Sequence, residues 1–417
     1  MQKRLLITLM GIFCAFSIII FFPFVSSAQE EFIIQKEGDV LVISNPKHPV
    51  PKVGSRKKLV FEEDLSIGVV EGDENYLFGE LICFNTDEEG NFYVSDLETL
   101  RIQKYDTEGK YLLTMGRKGQ GPGEFQSLSV VRFDQDGNLY VGDITGKKVI
   151  FFSKEGEFLK EIKMPGAYEN IFINSKGQVV ALKYERVPSE NALVMNSIFE
   201  LLDQDFTTLA ELYRIKREIE LPGKDVSSII QIMANMINLM VFQPKQFLTL
   251  AQNDFIYFGY PNKYEISIFS PEGKPAKKIT REYESIPVRK KDRQYFEELI
   301  SQNEAYKGAP EDYRKKLFQL IEYPEYKPAY QGFTLIQSGL SQSFTLMDNG
   351  WLALIVDSIK DEYTIFDLFD QEGTYIGNFK TDIPVEGFFF NNGRAYAVAT
   401  EEGYKIVKRY RIGLQEY

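Results

Sequence analysis

Gly137-Asn138-Leu139-Tyr140-Val141-Gly142-Asp143, continued by Val149-Ile150-Phe151-Phe152-Ser153-Lys154 and Glu155-Gly156-Glu157-Phe158-Leu159, decides the fold. Its apolar and polar positions read as three short strands joined by turns of glycine and acidic residues. The same phrase occurs earlier as Gly90-Asn91-Phe92-Tyr93-Val94-Ser95-Asp96, Arg101-Ile102-Gln103-Lys104-Tyr105-Asp106 and Glu108-Gly109-Lys110-Tyr111-Leu112. A small sheet repeated at this interval must bury its faces against its neighbours, which is the logic of propeller blades.

With an apolar stretch at 128–133 and the turn Asp134-Gln135-Asp136-Gly137 in front, the phrase becomes a four-stranded antiparallel unit. A preceding unit runs from Leu81-Ile82-Cys83-Phe84 through Tyr93, Ile102 and Tyr111 to Met115. Less regular versions follow at 170–213, 247–273, 344–379 and 387–410, the last without an outer strand. The expected fold is all-β, a single six-bladed β-propeller domain over 29–417. Seven blades is the competing count, because 51–80 holds further strand-like pieces at 59–61 and 67–70. The stretches 32–35 and 40–44, joined by Glu37-Gly38-Asp39, are expected to pair with the last blade and close its open edge. Helical spacing appears near 225–242, with Ile229, Ile230, Ile232, Met233, Met236, Ile237 and Met240, and again at 290–300 and 310–321, the last opened by Pro310. These excursions are expected to cover a blade from outside the ring; capping one mouth of the channel is the alternative.

Lys3 and Arg4, an apolar run over 5–22 and the small residues Ser26-Ser27-Ala28 read as a signal peptide over 1–28, so the protein is expected to be periplasmic or secreted. An uncleaved N-terminal anchor is the alternative, since the run is long enough for a membrane helix; after cleavage no stable span is expected. Cleavage removes Cys14 and leaves Cys83 as a lone thiol in an apolar strand, so stability must come from burial and strand pairing. Aromatic residues make up 14% of the chain, which suits sheets packed face to face. The net charge of -12 argues against nucleic acid and anionic bilayers as partners.

In a four-stranded blade, the connection between strands two and three lies at the same end as the crossover to the next blade. Asp96 and Asp143 therefore finish second strands on one rim, with Arg101 and Lys148 beside them at the start of third strands. The crossover Gly116-Arg117-Lys118-Gly119-Gln120-Gly121-Pro122-Gly123-Glu124-Phe125 arrives at this rim. It lacks the Lys-Ser/Thr ending of a phosphate loop and reads as a blade-linking turn, with Phe125 plugging the core and Glu124 paired to backbone or a basic side chain. Tyr184 and Tyr260, with Tyr168, are candidate stacking surfaces near the mouth. The candidate ligand-binding set is Asp96, Arg101, Arg117, Glu124, Asp143, Lys148, Tyr184 and Tyr260. His48 is the single histidine, which removes clustered-histidine zinc sites and most His-dependent triads. No cofactor is implied; calcium stays open if Asp96, Asp143 and Asp357 converge at one entrance, although turn-stabilising aspartates explain them better.

The repeats at Asp136-Gly137-Asn138-Leu139-Tyr140-Val141-Gly142-Asp143 and Gly119-Gln120-Gly121-Pro122-Gly123-Glu124-Phe125 resemble the NHL-repeat class of six-bladed propellers, and more closely the uncharacterised exported bacterial six-bladed propellers. The resemblance implies ligand-binding or protein-binding scaffolds. Related propellers include amidating lyases, whose zinc histidines have no counterparts here, and calcium-dependent lactonases, whose ligands align with no residue of this chain. The expected function is an exported, noncatalytic scaffold that recognises an extracellular or envelope protein, peptide or glycan. The alternatives are a calcium- or carboxylate-dependent hydrolase or lyase at the channel mouth, and a structural subunit that presents its helices. Intact-mass measurement of the exported protein is expected to give a chain beginning at Gln29; retention of residues 1–28 would establish the anchored alternative.

Overall fold

The computed structural model describes residues 32–49, 57–79, 82–129, 131–189, 192–220, 226–238, 246–302, 304–330, 344–346, 352–359, 363–381, 387–391 and 393–416. The expected signal segment 1–28, the expected Asp348-Asn349-Gly350 turn and Met240 lie outside the described residues. Six antiparallel sheets follow one another along the chain, each with four blade strands. The first blade comprises Ile82–Thr86, Phe92–Asp96, Arg101–Tyr105 and Tyr111–Met115, and the second Val131–Phe133, Leu139–Asp143, Lys148–Phe152 and Phe158–Lys163. Blades three, four and five start at Tyr168–Ile173, Phe247–Leu250 and Phe344–Leu346.

One five-residue turn builds most of the lower connections. Asp134 accepts hydrogen bonds from the backbone N–H of Asp136 and Asn138 at 3.0 and 2.8 Å, while Gly137 takes a positive φ of 75° and donates to the Asp134 carbonyl. Asn174, Asp203 and Ser270 fill the Asp134 role in other turns, accepting from the backbone two and four residues ahead. At Phe206 (φ 63°) and Asp254 (φ 64°) a side chain occupies the left-handed position, and packing offsets its strain. The Phe206 ring is buried against Tyr168, and Asp254 accepts from Ser175 N–H in the neighbouring blade at 2.9 Å.

The core is divided among six seams, one between each pair of consecutive blades. Tyr93, Ile102, Phe125, Val141 and Ile150 fill the first of them. Blades two and three share Tyr140, Phe151 and Ala181, and blades three and four share Leu182, Phe199, Ile256 and Phe258. Blades four and five meet through Ile266, Tyr330 and Leu354, and five and six through Phe366, Phe390 and Ala397. Phe92, Val94, Tyr396 and Val398 join blade six back to blade one, so the ring is closed.

The sixth blade contains Gly387–Asn391, Arg394–Glu401 and Tyr404–Glu416, and its outer strand is Lys57–Ile67. The expectation that an N-terminal strand closes the ring therefore holds, but the segment differs from the one expected. Ile33–Glu37 and Val40–Asn45 form a hairpin that joins blade four instead, with Val40–Asn45 parallel to Pro275–Arg281. Two matches explain the exchange. Asn45 donates to the Thr280 and Gly373 carbonyls at 3.1 and 2.9 Å and accepts from Tyr375 N–H at 2.8 Å, which fits it to blades four and five. Acidic Glu62-Glu63-Asp64 instead faces the basic final strand: Lys408 reaches Glu63 at 3.2 Å, and Asp64 pairs with Arg394 and, at 2.7 Å, with Arg409. A bulge in the pairing at Arg409/Tyr410 lets Asp64 turn toward these guanidinium groups.

Both excursions leave from crossovers on the rim that carries the ends of the second strands. Helix α1 (Val226–Asn238) follows blade three; α2 (Lys290–Gln302), α3 (Glu304–Lys307) and α4 (Glu311–Gln319) follow blade four. Pro310 stands just before α4, as its fixed φ favours. Ile230 and Ala234 of α1 pack on Leu317 of α4, so the two excursions share a small core of their own. No helix among the described residues is long and apolar enough to cross a membrane.

Asp64→Ala is expected to destabilise the fold by roughly 2–3 kcal/mol, less than loss of a fully buried pair because Arg394 is partly in water. The exposed hairpin-turn variant Asp39→Ala is expected to change stability by under about 0.5 kcal/mol. Thermal unfolding of both variants checks this; equal midpoints would remove Asp64 from the closure.

Candidate ligand-binding site

Register fixes the rim. Asp96 pairs with Arg101 and Asp143 with Lys148 at the ends of their strands. Both carboxylates are fully buried. Asp143 accepts from Gly146 N–H at 2.8 Å, from Gln126 and Ser127 N–H at 2.8 and 2.9 Å, and from the Ser127 hydroxyl at 2.9 Å. Asp96 does the same with Glu98 and Thr99 N–H, each at 3.0 Å, and with Gly79 N–H at 3.2 Å. Each aspartate thus fastens the crossover entering its blade to its own upper turn. In blade five Asp357 does this through side chains: it receives Lys327 Nζ at 2.8 Å and Arg289 at 3.0 Å, and both cations also hold Asp292 of α2. The three aspartates expected at one entrance are each committed within their own blade. Among the described residues no three His, Cys, Asp or Glu side chains are grouped as metal ligands.

The remaining charged candidates hold loops as well. Arg101 donates to the Glu74 and Leu77 carbonyls at 3.2 and 2.8 Å. Glu124 accepts from Gly121 N–H at 2.9 Å and pairs with Arg117 at 2.8 Å; these hydrogen bonds hold its carboxyl below the usual range. A Cβ at Gly116 would run into the buried Phe125 ring, so this glycine permits the plug that the sequence suggests. Lys148 is buried and salt-bridges Glu161 at 2.9 Å. Arg117, which is 80% exposed at its side chain, alone of these groups reaches well into solvent.

Blades three and four depart from this pattern. At the same distance beyond the turn at which Asp96 and Asp143 occur, blade three has Lys183 and blade four Tyr260. The upper end of blade three also continues outward. Val179–Pro188, Ala192–Leu202 and Thr208–Glu220 are 10, 11 and 13 residues long, against 5, 5 and 6 for the corresponding strands of blade two.

The extension carries a polar layer above the hydrophobic seam. Leu182 pairs with Phe199 and Tyr184 with Ser197, so Tyr184 and Ser197 lie on the blade-four side, one pleat above the buried pair. Glu169, on the innermost strand and opposite Leu182, shares that side at the channel mouth. Tyr184 leaves 38% of its surface in water while its hydroxyl bonds to Glu169 and Gln246. Gln246 donates to Ser197 Oγ at 3.4 Å and accepts from Arg217 at 3.3 Å. Burial is the main cause that pushes both the Glu169 carboxyl and the Tyr184 phenol above their ordinary values, and the adjacent Glu169 charge raises the phenol further. Tyr260 packs half-buried against the same seam from blade four.

The structure therefore brings Tyr184 and Tyr260 to one seam, gathers Arg117, Glu124, Asp143 and Lys148 around the loop into blade two, and places Asp96 and Arg101 at blade one. Sequence reading missed Glu169, Arg217 and Gln246. The available signal was the over-long alternation after Val179, which continues through Lys183 and Tyr184 toward Pro188. Asp143→Ala is expected to cost about 3 kcal/mol, since charge-assisted hydrogen bonds contribute roughly 1.5–3 kcal/mol each and water replaces part of them. Amide exchange over 116–129 is expected to rise in that variant, whereas Arg117→Ala leaves the melting temperature unchanged; the reverse ranking would show that the exposed pair holds the loop.

Residues 67–285, a little over half of the chain, match the DUF5128 family, described as 6-bladed beta-propeller. No curated protein matches the chain. Among solved structures, a candidate exported protein of Bacteroides fragilis is similar over 89% of this chain and 99% of its own, with 14% identity and a TM-score of 0.51. A member of the duf4221 family from Bacteroides vulgatus is 8% identical over 87% of this chain and 99% of its own, with a TM-score of 0.47. A virginiamycin B lyase from Staphylococcus aureus is 12% identical over 85% and 88% of the two chains, with a TM-score of 0.36. At such identities the Bacteroides fragilis likeness speaks for the fold alone, and the other two are too remote to support an argument. The ring of six four-stranded sheets and the matched span agree: the chain belongs to the family of six-bladed β-propellers.

Proposed function

We propose that this chain is an exported, noncatalytic binding scaffold whose ligand site is the upper seam between blades three and four. The extension of blade three, which holds a partly exposed Tyr184 bonded to Glu169 and Gln246, with Arg217 donating to Gln246, is the observation that carries this reading. A rigid ring gives such a site a fixed frame, and side chains already held by hydrogen bonds lose little freedom when a ligand arrives. The basic start and apolar run of the N-terminal sequence support export. The partners that fit are an extracellular or envelope peptide, glycan or protein.

The reading moves the contact surface away from Asp96 and Asp143. Their oxygens already serve the crossovers, so a ligand competing for them would loosen the fold. Screening the mature protein against soluble glycans and peptides is expected to yield a ligand whose affinity falls roughly tenfold or more in Tyr184→Ala, as for truncation of an anchoring aromatic. Thermal unfolding of that variant stays close to the parent. Unchanged affinity for the identified ligand would remove the seam from the binding surface.

A further inference from the structure

We infer that the outer edge of the N-terminal hairpin, Ile33–Glu37, is a pairing surface for a second copy of this chain, joined antiparallel about a two-fold axis. The blade edges themselves are irregular. The outermost pairing of every blade carries a bulge, at Lys104/Tyr105, Phe151/Phe152, Phe199/Glu200, Ile268/Phe269, Leu368/Phe369 and Arg409/Tyr410. Such bulges twist a free edge away from foreign strands. Val40–Asn45 lies along the bulged edge of blade four, and Ile33–Glu37 pairs with it in unbroken register from Ile33↔Ser44 to Glu37↔Val40. The hairpin thus exchanges a protected edge for a regular one, and no described strand pairs with its outer side. All five residues of Ile33–Glu37 are exposed, and Ile33 and Ile34, at 58% and 53%, project to opposite faces. Burial within the chain does not account for isoleucine on both faces of an open edge; a strand alongside would cover each of them.

Backbone phase decides which residues can pair. The Asn45 carbonyl points toward blade four, where it accepts from Glu282 N–H at 2.9 Å. Alternation along that strand turns Val40, Val42 and Ser44 toward the other arm of the hairpin. Glu37, Gln35 and Ile33 therefore bond inward, while Ile34 and Lys36 direct their N–H and C=O groups outward. Between two copies, outward residues must oppose outward residues, so the axis passes through a residue and not between two. With Ile33 on the axis, Ile34 stands opposite Phe32 of the other copy and Lys36 opposite Glu30, and symmetry repeats both pairs. Apolar then meets apolar, and cation meets carboxylate. Moving the axis to Ile34 sets Lys36 against Phe32 and Glu37 against Glu31, and moving it to Phe32 sets Ile34 against Glu30. An axis at Gln35 sets Ile34 against Lys36. The Ile33 register is self-complementary, which favours a second copy over an unrelated peptide as the occupant.

Sedimentation velocity of the mature chain, from Gln29 onward, over about 1 to 500 µM tests the assignment. A reversible monomer–dimer equilibrium in the micromolar range is expected, because a strand pair this short covers less surface than a permanent interface. Ile34→Pro removes an N–H that the hairpin itself does not use. It is expected to weaken dimerisation roughly tenfold or more while thermal unfolding stays close to the parent. Lys36→Glu sets carboxylate against carboxylate at both ends of the pair and is expected to weaken the dimer roughly tenfold; adding Glu30→Lys is expected to restore parental affinity within about threefold. A chain that stays monomeric up to about 500 µM would overturn the second copy as occupant and leave the edge to a foreign strand. A dimer that neither Ile34→Pro nor Lys36→Glu weakens would lie elsewhere on the molecule and overturn the proposal as well. Weakening by Lys36→Glu with no recovery in the double variant would overturn the two-fold register at Ile33.

Discussion

A last sheet that reaches the end of the chain one strand short keeps an open edge unless another segment fills it. Here that edge is filled by the pairing of Lys57–Ile67 with Tyr404–Glu416, the longest-range strand contact among the described residues. Joining segments so far apart carries an entropic cost that grows only slowly with loop length, and the sixth seam cannot form until it has been met. The acidic stretch around Asp64 and the basic stretch around Arg409 supply direction as well as attraction. A slip in register would separate Asp64 from Arg394 and Arg409 and turn Leu65 away from the seam with blade one.

Once the ring is closed, each crossover needs an anchor on the rim. Asp96 and Asp143 meet that need with backbone N–H groups, and Asp357 meets it with two cations and the helical excursion. The buried Lys327 between Asp292 and Asp357 is a consequence of this geometry. The segment returning from the helices has to pass the rim of blade five, where Lys327 N–H bonds the Ile286 carbonyl and Val288 N–H bonds that of Glu325. An unpaired ammonium at that depth would be strongly unfavourable, so two carboxylates surround it.

The repeated blades were legible because their turns obey a local rule. Asp or Asn at the first position and a left-handed residue at the fourth can be read from five residues, as at Asp134 to Asn138. The closing strand was less legible because Lys57–Ile67 alternates poorly, while Ile33–Glu37 and Val40–Asn45 flank a Gly38 turn and look like the better strand pair. Only the charge complement of Glu62-Glu63-Asp64 with Lys408-Arg409-Tyr410-Arg411 distinguishes the two, and it appears when segments at opposite ends of the chain are compared. Asp96 and Asp143 were visible as a recurring pair, but a strand-ending aspartate has the same sequence signature whether its oxygens face a ligand or a loop. Tyr184 was singled out by its residue type. Glu169, Arg217 and Gln246 come from an innermost strand, an outermost strand and a crossover, and no local period links them.

The departures from the repeat are therefore the informative positions. Where the rule holds, as in blades one and two, the rim side chains are consumed in holding loops, and substituting them changes the frame before it changes any contact surface. Where it lapses, at Lys183 and Tyr260, the crossover between the two blades includes a helix that packs on α4 of the second excursion. Blade three extends upward beside it, and its added length raises a polar layer over the hydrophobic seam of Leu182, Phe199 and Phe258. The apolar floor fixes the walls, and the polar layer above it holds Tyr184 from below while leaving its ring open. The extension of blade three thus keeps the side chain of Tyr184 partly exposed beside blade four.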